Sequence, residues 1–471
     1  MTGLDDLRAR IEHDLATLCI DRETWVPQRA GVYDVVIVGG GQSGLGAAFA
    51  LLREKVSNVL ILDENPAGEE GPWLTYARMI TLRTPKHLLS IDVGIPSLTF
   101  RAFWEAQHGP EGWDALDKIP RAEWMAYLRF YRDVLGLPVQ NDAKVLKVGP
   151  LTDGAHDVLV RTPEGERVMR ARKVVLATGI HGGGEWHTPD MVKALPKTRY
   201  AHTSEAIDFA ALKGKRIGVL GAGASSFDNA NYALQEGVGE VHVFVRRNAL
   251  PQINPIRFME RTGVIPRFAA FTDAEKYDAI AYFLGMNQPP TNDTFQRAAA
   301  WPGFRLHLGS PWEAVKETPD GVEVTTPKGV FTFDFLVLST GLVTDPALRA
   351  ELEGLAPKIA CWRDRLPALA GSAHPLVDAH PYLGAGFEFT PKNPEEGEAL
   401  YGLFSFNYSA LVSLGLSASA ISGLRYALPR LAAAIADQLF QDNKAGWMAA
   451  YQAYDEPEFV SEWNPERAVA E

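Results

Sequence analysis

The sequence predicts an α/β protein built from two doubly wound parallel-sheet units, the second inserted into the first, and three observations carry that expectation. Two glycine-rich turns, Gly39-Gly40-Gly41-Gln42-Ser43-Gly44 and Gly221-Ala222-Gly223-Ala224-Ser225-Ser226, each follow a Val/Ile-rich run and open a stretch of small residues. A further short apolar run follows each turn, which completes the strand, helix, strand pattern of a βαβ unit. A strand-like segment ending in Thr-Gly occurs twice, at 173–179 and 334–341, and marks where the chain enters and leaves the inserted unit.

Residues 1–29 read as a helical extension in which Leu4, Leu7, Ile11, Leu15 and Leu18 share one face. Residues 30–180 are the first part of the first unit. They hold a strand at 32–38, a helix at 42–54, a strand at 59–62, a segment without clear period at 68–109 and a helix at 121–134. Alternating segments at 143–148, 157–162 and 166–171 predict a small antiparallel sheet. Residues 181–330 are the inserted unit, with a strand at 216–220, a helix at 226–236, a strand at 240–245, an irregular helical insert and strands at 322–326 and 330–333. Residues 331–430 return to the first unit, and 431–471 form a helical tail. The uncharged stretch 399–424 is long enough to cross a bilayer, yet six serines, Asn407 and three glycines spread along it. A buried strand and helix are expected there, and no membrane span.

Composition narrows the partners. At 471 residues and 46% hydrophobic content the chain supports two or three domains. A net charge of -12 argues against nucleic acid or an anionic membrane as the main partner, since both need clustered Lys and Arg. Two cysteines, Cys19 and Cys361, with no CxxC spacing, support neither a disulfide framework nor a thiolate metal site and fit a reducing cytoplasm. The histidines at 181, 187 and 202, and His374 and His380 around Asp378, lack a helical ligand spacing, so no metal is expected. Homo-oligomerisation is left open.

The glycine turns carry the chemistry. Gly39 permits the tight turn, Gly41 lets the backbone approach a pyrophosphate, and Gly44 lets helix and strand pack, with Gln42 and Ser43 at the helix N-terminus facing the phosphates. Asp63, nineteen residues past Gly44 and followed by Glu64, places a carboxylate at a strand end for the ribose hydroxyls of FAD. In the second turn Gly221, Gly223, Ser225 and Ser226 repeat the pattern with Ser226 in the third glycine's place. Twenty residues later Arg246 and Arg247 stand where an acid would select NAD, and a guanidinium there suits the 2'-phosphate of NADPH. The fold class is therefore two Rossmann-like dinucleotide-binding domains, the NADP domain inserted into the FAD domain.

These residues resemble the class B flavin-dependent monooxygenases, the group of flavin-containing, Baeyer-Villiger and N-hydroxylating enzymes. The resemblance covers roughly residues 33–342. It rests on the ordered fingerprints, on Glu70-Gly71-Pro72-Trp73 where the family has Gly-Gly-x-Trp, on Tyr127-Leu128, on Ala177-Thr178-Gly179 and Ser339-Thr340-Gly341, and on His202-Thr203. The run Thr81-Leu82-Arg83-Thr84-Pro85 with Leu98-Thr99-Phe100 is similar to the N-hydroxylating branch. Pro196 and Thr198 depart from the family's Phe-x-Gly-x-x-x-His before His202, and Arg83 stands near the place of a flavin-side asparagine. A bacterial subgroup with members labelled FAD-dependent urate hydroxylases is similar overall.

The resemblance implies that NADPH reduces FAD and that a flavin hydroperoxide delivers one oxygen atom of O2 to a small electron-rich heteroatom compound. It implies catalytic roles for Arg83, His202 and Asn407. It also implies cofactor contacts from Trp73, Arg83, Val145, Ala177, Thr178, Gly179, Thr340, Gly341 and Leu416, the last ahead of a late helix aimed at the flavin. Two other readings stay open: a flavin reductase or dehydrogenase without productive oxygen insertion, and a silent redox-sensing flavoprotein.

Overall fold

The strand Val32–Val38 buries five of its seven residues, as a parallel strand covered on both faces must. The structure, a computed structural model, describes residues 3–366 and 374–461. Val32–Val38 pairs in parallel with Val59–Leu62 on one side and with the end of Gly165–Leu176 on the other, and Val139–Gln140 extends the edge. On its far side Gly165–Leu176 takes two neighbours. Its first half pairs antiparallel with Ala155–Thr162, which pairs with Lys144–Thr152, and Val174 to Leu176 take Leu403–Ser405 in parallel. The small antiparallel sheet read from the sequence is thus the outer part of one seven-stranded sheet.

The helix Gln42–Arg53 lies over this sheet and buries every residue from Ser43 to Leu52. Small residues bring its neighbour close: a Cβ at Gly46 would sit 2.7 Å from the Leu428 side chain of the helix Ile421–Gln441. That long helix crosses the expected boundary at 430, so residues 421–441 are one element packed on the first unit, and a separate helix, Lys444–Ala453, follows. The N-terminal helix Gly3–Thr17 packs on Phe100–Ala115 through buried Leu7 and Ile11. Leu18, expected on the same face, lies past the helix end and is exposed. The helix Phe100–Ala115 was not legible because Gly109, at φ 72°, breaks its period.

The inserted unit is a second, all-parallel sheet in the order Phe304–His307, Glu240–Phe244, Arg216–Leu220, Phe335–Leu338, Tyr200–His202. Phe335–Leu338 was expected beyond the boundary at 331 in the returning first unit. Its register with Arg216–Leu220 and Tyr200–His202 assigns it to the inserted sheet instead. Ala314–Thr318, Gly321–Thr326 and Gly329–Phe333 form a separate antiparallel sheet on this unit. The two linkers meet as a short antiparallel pair, Gly184–Trp186 with Leu342–Thr344. No helix among the described residues is long and apolar enough to cross a membrane.

Candidate cofactor and active site

Both glycine turns are packed tight behind and open in front. At Gly39 (φ 108°) and Gly44 an added Cβ would lie 2.5 Å from the Ala177 carbonyl and 1.8 Å from the Gly39 carbonyl respectively. Gly221 (φ 143°) is similarly pressed, 2.3 Å from the Ser339 carbonyl. In front, a Cβ at Gly41 finds nothing nearer than Gly71 at 3.8 Å, and Gly223 faces open space. Neither the helix Gln42–Arg53 nor Ala224–Gln235 has a side-chain N-cap, whereas Thr99, Asn254 and Thr272 cap other helices. Free N-terminal amides ahead of an open, glycine-floored turn form an anion cradle. The residues fit the diphosphates expected of FAD and NADPH.

Around the first turn, buried Asp63 accepts from the Gly40 amide at 2.7 Å and from the Asn65 amide at 2.8 Å, so the carboxylate is locked at the strand end. Burial pushes its pKa up. Glu64 is exposed and pairs with Lys144 at 2.7 Å, which turns it away from the crevice. Val145 follows on the same edge, paired with Val160. Gln42 Oε1 accepts from the Trp124 indole at 3.1 Å, Ser43 Oγ donates to the Ala418 carbonyl at 3.1 Å, and Trp73 meets Trp124 edge-on. Glu70 is held by Arg132 and Asn141, each at 2.7 Å, and so fixes the loop covering the turn. Ala177 packs behind Gly39, while Gly179 (φ 75°) and Gly341 (φ 77°) face open space. Thr340 Oγ1 donates to the His187 carbonyl.

The second turn differs in its fittings. Ser226 is buried and its hydroxyl has no partner, and exposed Ser225 lends its carbonyl to Asn229. The expected arginine pair separates. Arg247 donates to the Gly285 and Met286 carbonyls at 2.8 and 3.3 Å, closing the end of the helix Asp273–Met286, and Arg246 alone is exposed at the strand end.

The three expected catalytic groups also fare differently. Arg83 reaches from the first unit to form an ion pair with buried Asp228 on the second glycine-turn helix, and its Nε–H is buried without a partner. Burial pushes the Asp228 carboxyl up against the opposing pull of Arg83. His202 is 2% exposed at the linkers, its ring stacked 4.9 Å from Trp186; Nδ1 meets Ser204 Oγ at 2.7 Å, Nε2 is buried without a hydrogen-bond partner, and burial pushes its pKa down to about 4, so the imidazole is neutral. Asn407 is committed. Its Nδ2 reaches the Leu176 carbonyl and Thr178 Oγ1 at 3.2 Å and the Gly182 carbonyl at 3.3 Å, and its Oδ1 accepts from the Ser409 amide and hydroxyl. It staples the chain together, with no donor left for a substrate. Leu416 is buried in an apolar cluster with Phe268 and Tyr277, its side chain turned into the insert.

Sequence reasoning missed Asp228 and Arg78. Asp228 is one acid among several polar helix residues, and only the approach of Arg83 distinguishes it. Arg78 is a half-buried cation that donates to the Thr203 and Glu205 carbonyls at 2.8 and 2.9 Å, a second tie between units. Desolvation lowers its pKa to about 10. Lys118 and Asp293, at 2.6 Å, add a third. No group of three His, Cys, Asp or Glu among the described residues could hold a metal ion.

Residues 36–273 match the family model described as pyridine nucleotide-disulphide oxidoreductase, although both cysteines here are free. The chain is 59% identical over 475 aligned positions to a FAD-dependent urate hydroxylase of Xanthomonas campestris pv. campestris, covering 99% of this chain and all of that one. Among solved structures, an ornithine hydroxylase of Pseudomonas aeruginosa superposes with a TM-score of 0.69 at 19% identity, covering 87% of this chain and all of that one. An L-lysine 6-monooxygenase of Pseudomonas syringae gives 0.67 at 20%, covering 86% and 99%. The two structures establish the architecture and the full-length relative establishes the kinship: the chain belongs to the flavin-dependent monooxygenases within the pyridine nucleotide-disulphide oxidoreductase family.

Proposed function

We propose that this protein hydroxylates urate or a closely related oxopurine, using NADPH, O2 and bound FAD. The observation that carries the reading is the pair of uncapped, open glycine turns, whose units are tied by Arg83 and Asp228. The substrate class comes from the full-length similarity to a urate hydroxylase. The overall balance is urate, NADPH, a proton and O2 giving hydroxylated product, NADP+ and water. Bound FAD supplies the two-electron relay and the oxygen-activating ring.

The chain's own residues bind and orient. Gly39 to Gly44 and the free amides of Gln42–Arg53 hold the FAD diphosphate, and Asp63 orients the ribose. Gly221 to Ser226 hold the second diphosphate, and Arg246 selects the 2'-phosphate. Arg83, steered by Asp228, presents its unpartnered Nε–H in the region between the units. The free Cys19 and Cys361 thiols accord with a cytoplasmic setting.

The test is to mix purified FAD-loaded protein, NADPH and urate, and follow urate absorbance, NADPH oxidation and O2 uptake together. The reading expects equal consumption of all three. NADPH oxidation that yields only hydrogen peroxide, with urate intact, rejects the substrate. A flavin that NADPH and NADH both fail to reduce rejects the redox function altogether.

A further inference from the structure

Beside the first glycine turn lies a cavity of about 220 Å³ that none of the roles above uses. Its walls are aromatic. Phe100 stands at the centre, with ring centroids 6.5 Å from Trp113, 5.8 Å from Trp124 and 5.6 Å from Tyr127. Such walls accept a flat ring by offset or edge contact and tolerate any heterocycle with a π-face.

Three polar features give the cavity direction. Ser90 lines it, is 4% exposed, and its hydroxyl has no hydrogen-bond partner. A buried hydroxyl left unpaired is unfavourable and calls for an explanation, which a ligand would supply. Asp92 is also at the wall, but its two oxygens are already taken by the Ser90 and Gly94 amides at 2.8 and 3.0 Å. Lys86 and Arg101 both lie over the Trp113 ring, at 4.8 and 5.4 Å from its centroid, and place positive charge at the same wall.

Location ties the cavity to the redox crevice. Lining residues Leu82 and Thr84 flank Arg83, and Trp124 donates to Gln42 at the start of the first glycine-turn helix. Ile421 closes it just beyond Ala418, whose carbonyl accepts from Ser43.

We infer that this cavity seats the substrate as a flat, oxygen-bearing bicyclic heterocycle, stacked among Phe100, Trp113 and Trp124 and hydrogen-bonded at one edge by Ser90 Oγ. The inference rests on the oxopurine reading above and adds the place and the contact residues. Because the Ser90 hydroxyl makes no bond in the free protein, Ser90→Ala removes a ligand contact without removing a structural one.

The experiment titrates urate into oxidised, FAD-loaded protein and reads tryptophan fluorescence, alongside FAD content and melting temperature. Ser90→Ala is expected to raise the urate Kd about tenfold with FAD content and melting temperature retained, and Trp113→Phe to raise it and reduce the fluorescence change. Unchanged urate affinity in both variants overturns the assignment while leaving the oxopurine reading intact. Loss of FAD from Ser90→Ala also overturns it, since the cavity would then serve the flavin ring. A wild-type protein that neither binds nor consumes urate overturns the oxopurine reading and this inference together.

Discussion

The two glycine turns share a backbone and differ in everything fastened to it. The first has three glycines, a locked carboxylate at Asp63 and a helix buried from Ser43 to Leu52. The second has Ser226 in the third place, no acid after its next strand, and a single free guanidinium at Arg246. One turn is built to retain a ligand, with its crevice covered by the Glu70 loop. The other leaves Ser225, Arg246 and Gly341 exposed, as suits a ligand that comes and goes. The fingerprint thus supplies the phosphate cradle, and the residues around it decide how firmly and which dinucleotide is held.

The largest expected effect lies in the first turn. Gly44→Val would drive a side chain into the Gly39 carbonyl, and purification should yield colourless protein, read as lost flavin absorbance at unchanged protein concentration. Next comes the tie between the units. Arg83→Ala would leave the Asp228 carboxylate buried and unpaired, at a cost on the order of 3 kcal/mol, visible as a lower urea midpoint; Asp228→Asn should cost less, because it removes the charge itself.

Third, Arg246→Ala should weaken NADPH by about 1.5 to 3 kcal/mol, roughly 10- to 150-fold in KM, with NADH little changed. Arg247→Ala should affect both coenzymes alike, since its bonds go to Gly285 and Met286. Equal effects on NADPH from both variants would erase the division of labour.

Acid should expose the second unit. Burial pushes His202 and His242, both on its sheet, down to about 4, below the unfolded value near 6.5. The unfolded chain then takes up protons first, so stability is full above about pH 6.5 and falls as pH drops toward 4. Melting temperatures from pH 7.5 to 4.5 should fall less steeply in a His202→Gln, His242→Gln variant. The smallest effect belongs to Ser226→Gly, which restores the third glycine but removes only an unpartnered hydroxyl; stability should move by no more than about 0.5 kcal/mol.

Much of the frame was legible because local pattern and burial agree. Val32–Val38 and its glycine turn, Arg121–Val134 and the second βαβ unit each show the period their burial demands. Where the chain breaks its own period, reading failed. Gly109 split the helix Phe100–Ala115, and Phe335–Leu338 looked like a return to the first sheet because its Ser-Thr-Gly ending matches that of the earlier strand. Residue roles were harder still. Asn407 and Arg247 are polar groups in plausible places, but Asn407 Nδ2 and two N–H groups of Arg247 are committed to carbonyls far away in sequence.

Two glycine turns suited to phosphates, their order and the absence of a CxxC pair can be read from the chain alone, the turns because they depend on neighbouring residues and on glycine's freedom at φ values other residues avoid. Folding adds that Arg83 meets Asp228, that Arg247 closes a helix while Arg246 stays exposed, and that Ser90 is among the residues lining an aromatic cavity. Those facts depend on contacts between segments from 38 to 145 residues apart, where a hydrogen bond or ion pair is set by the packing of whole elements and leaves no periodic trace in the chain.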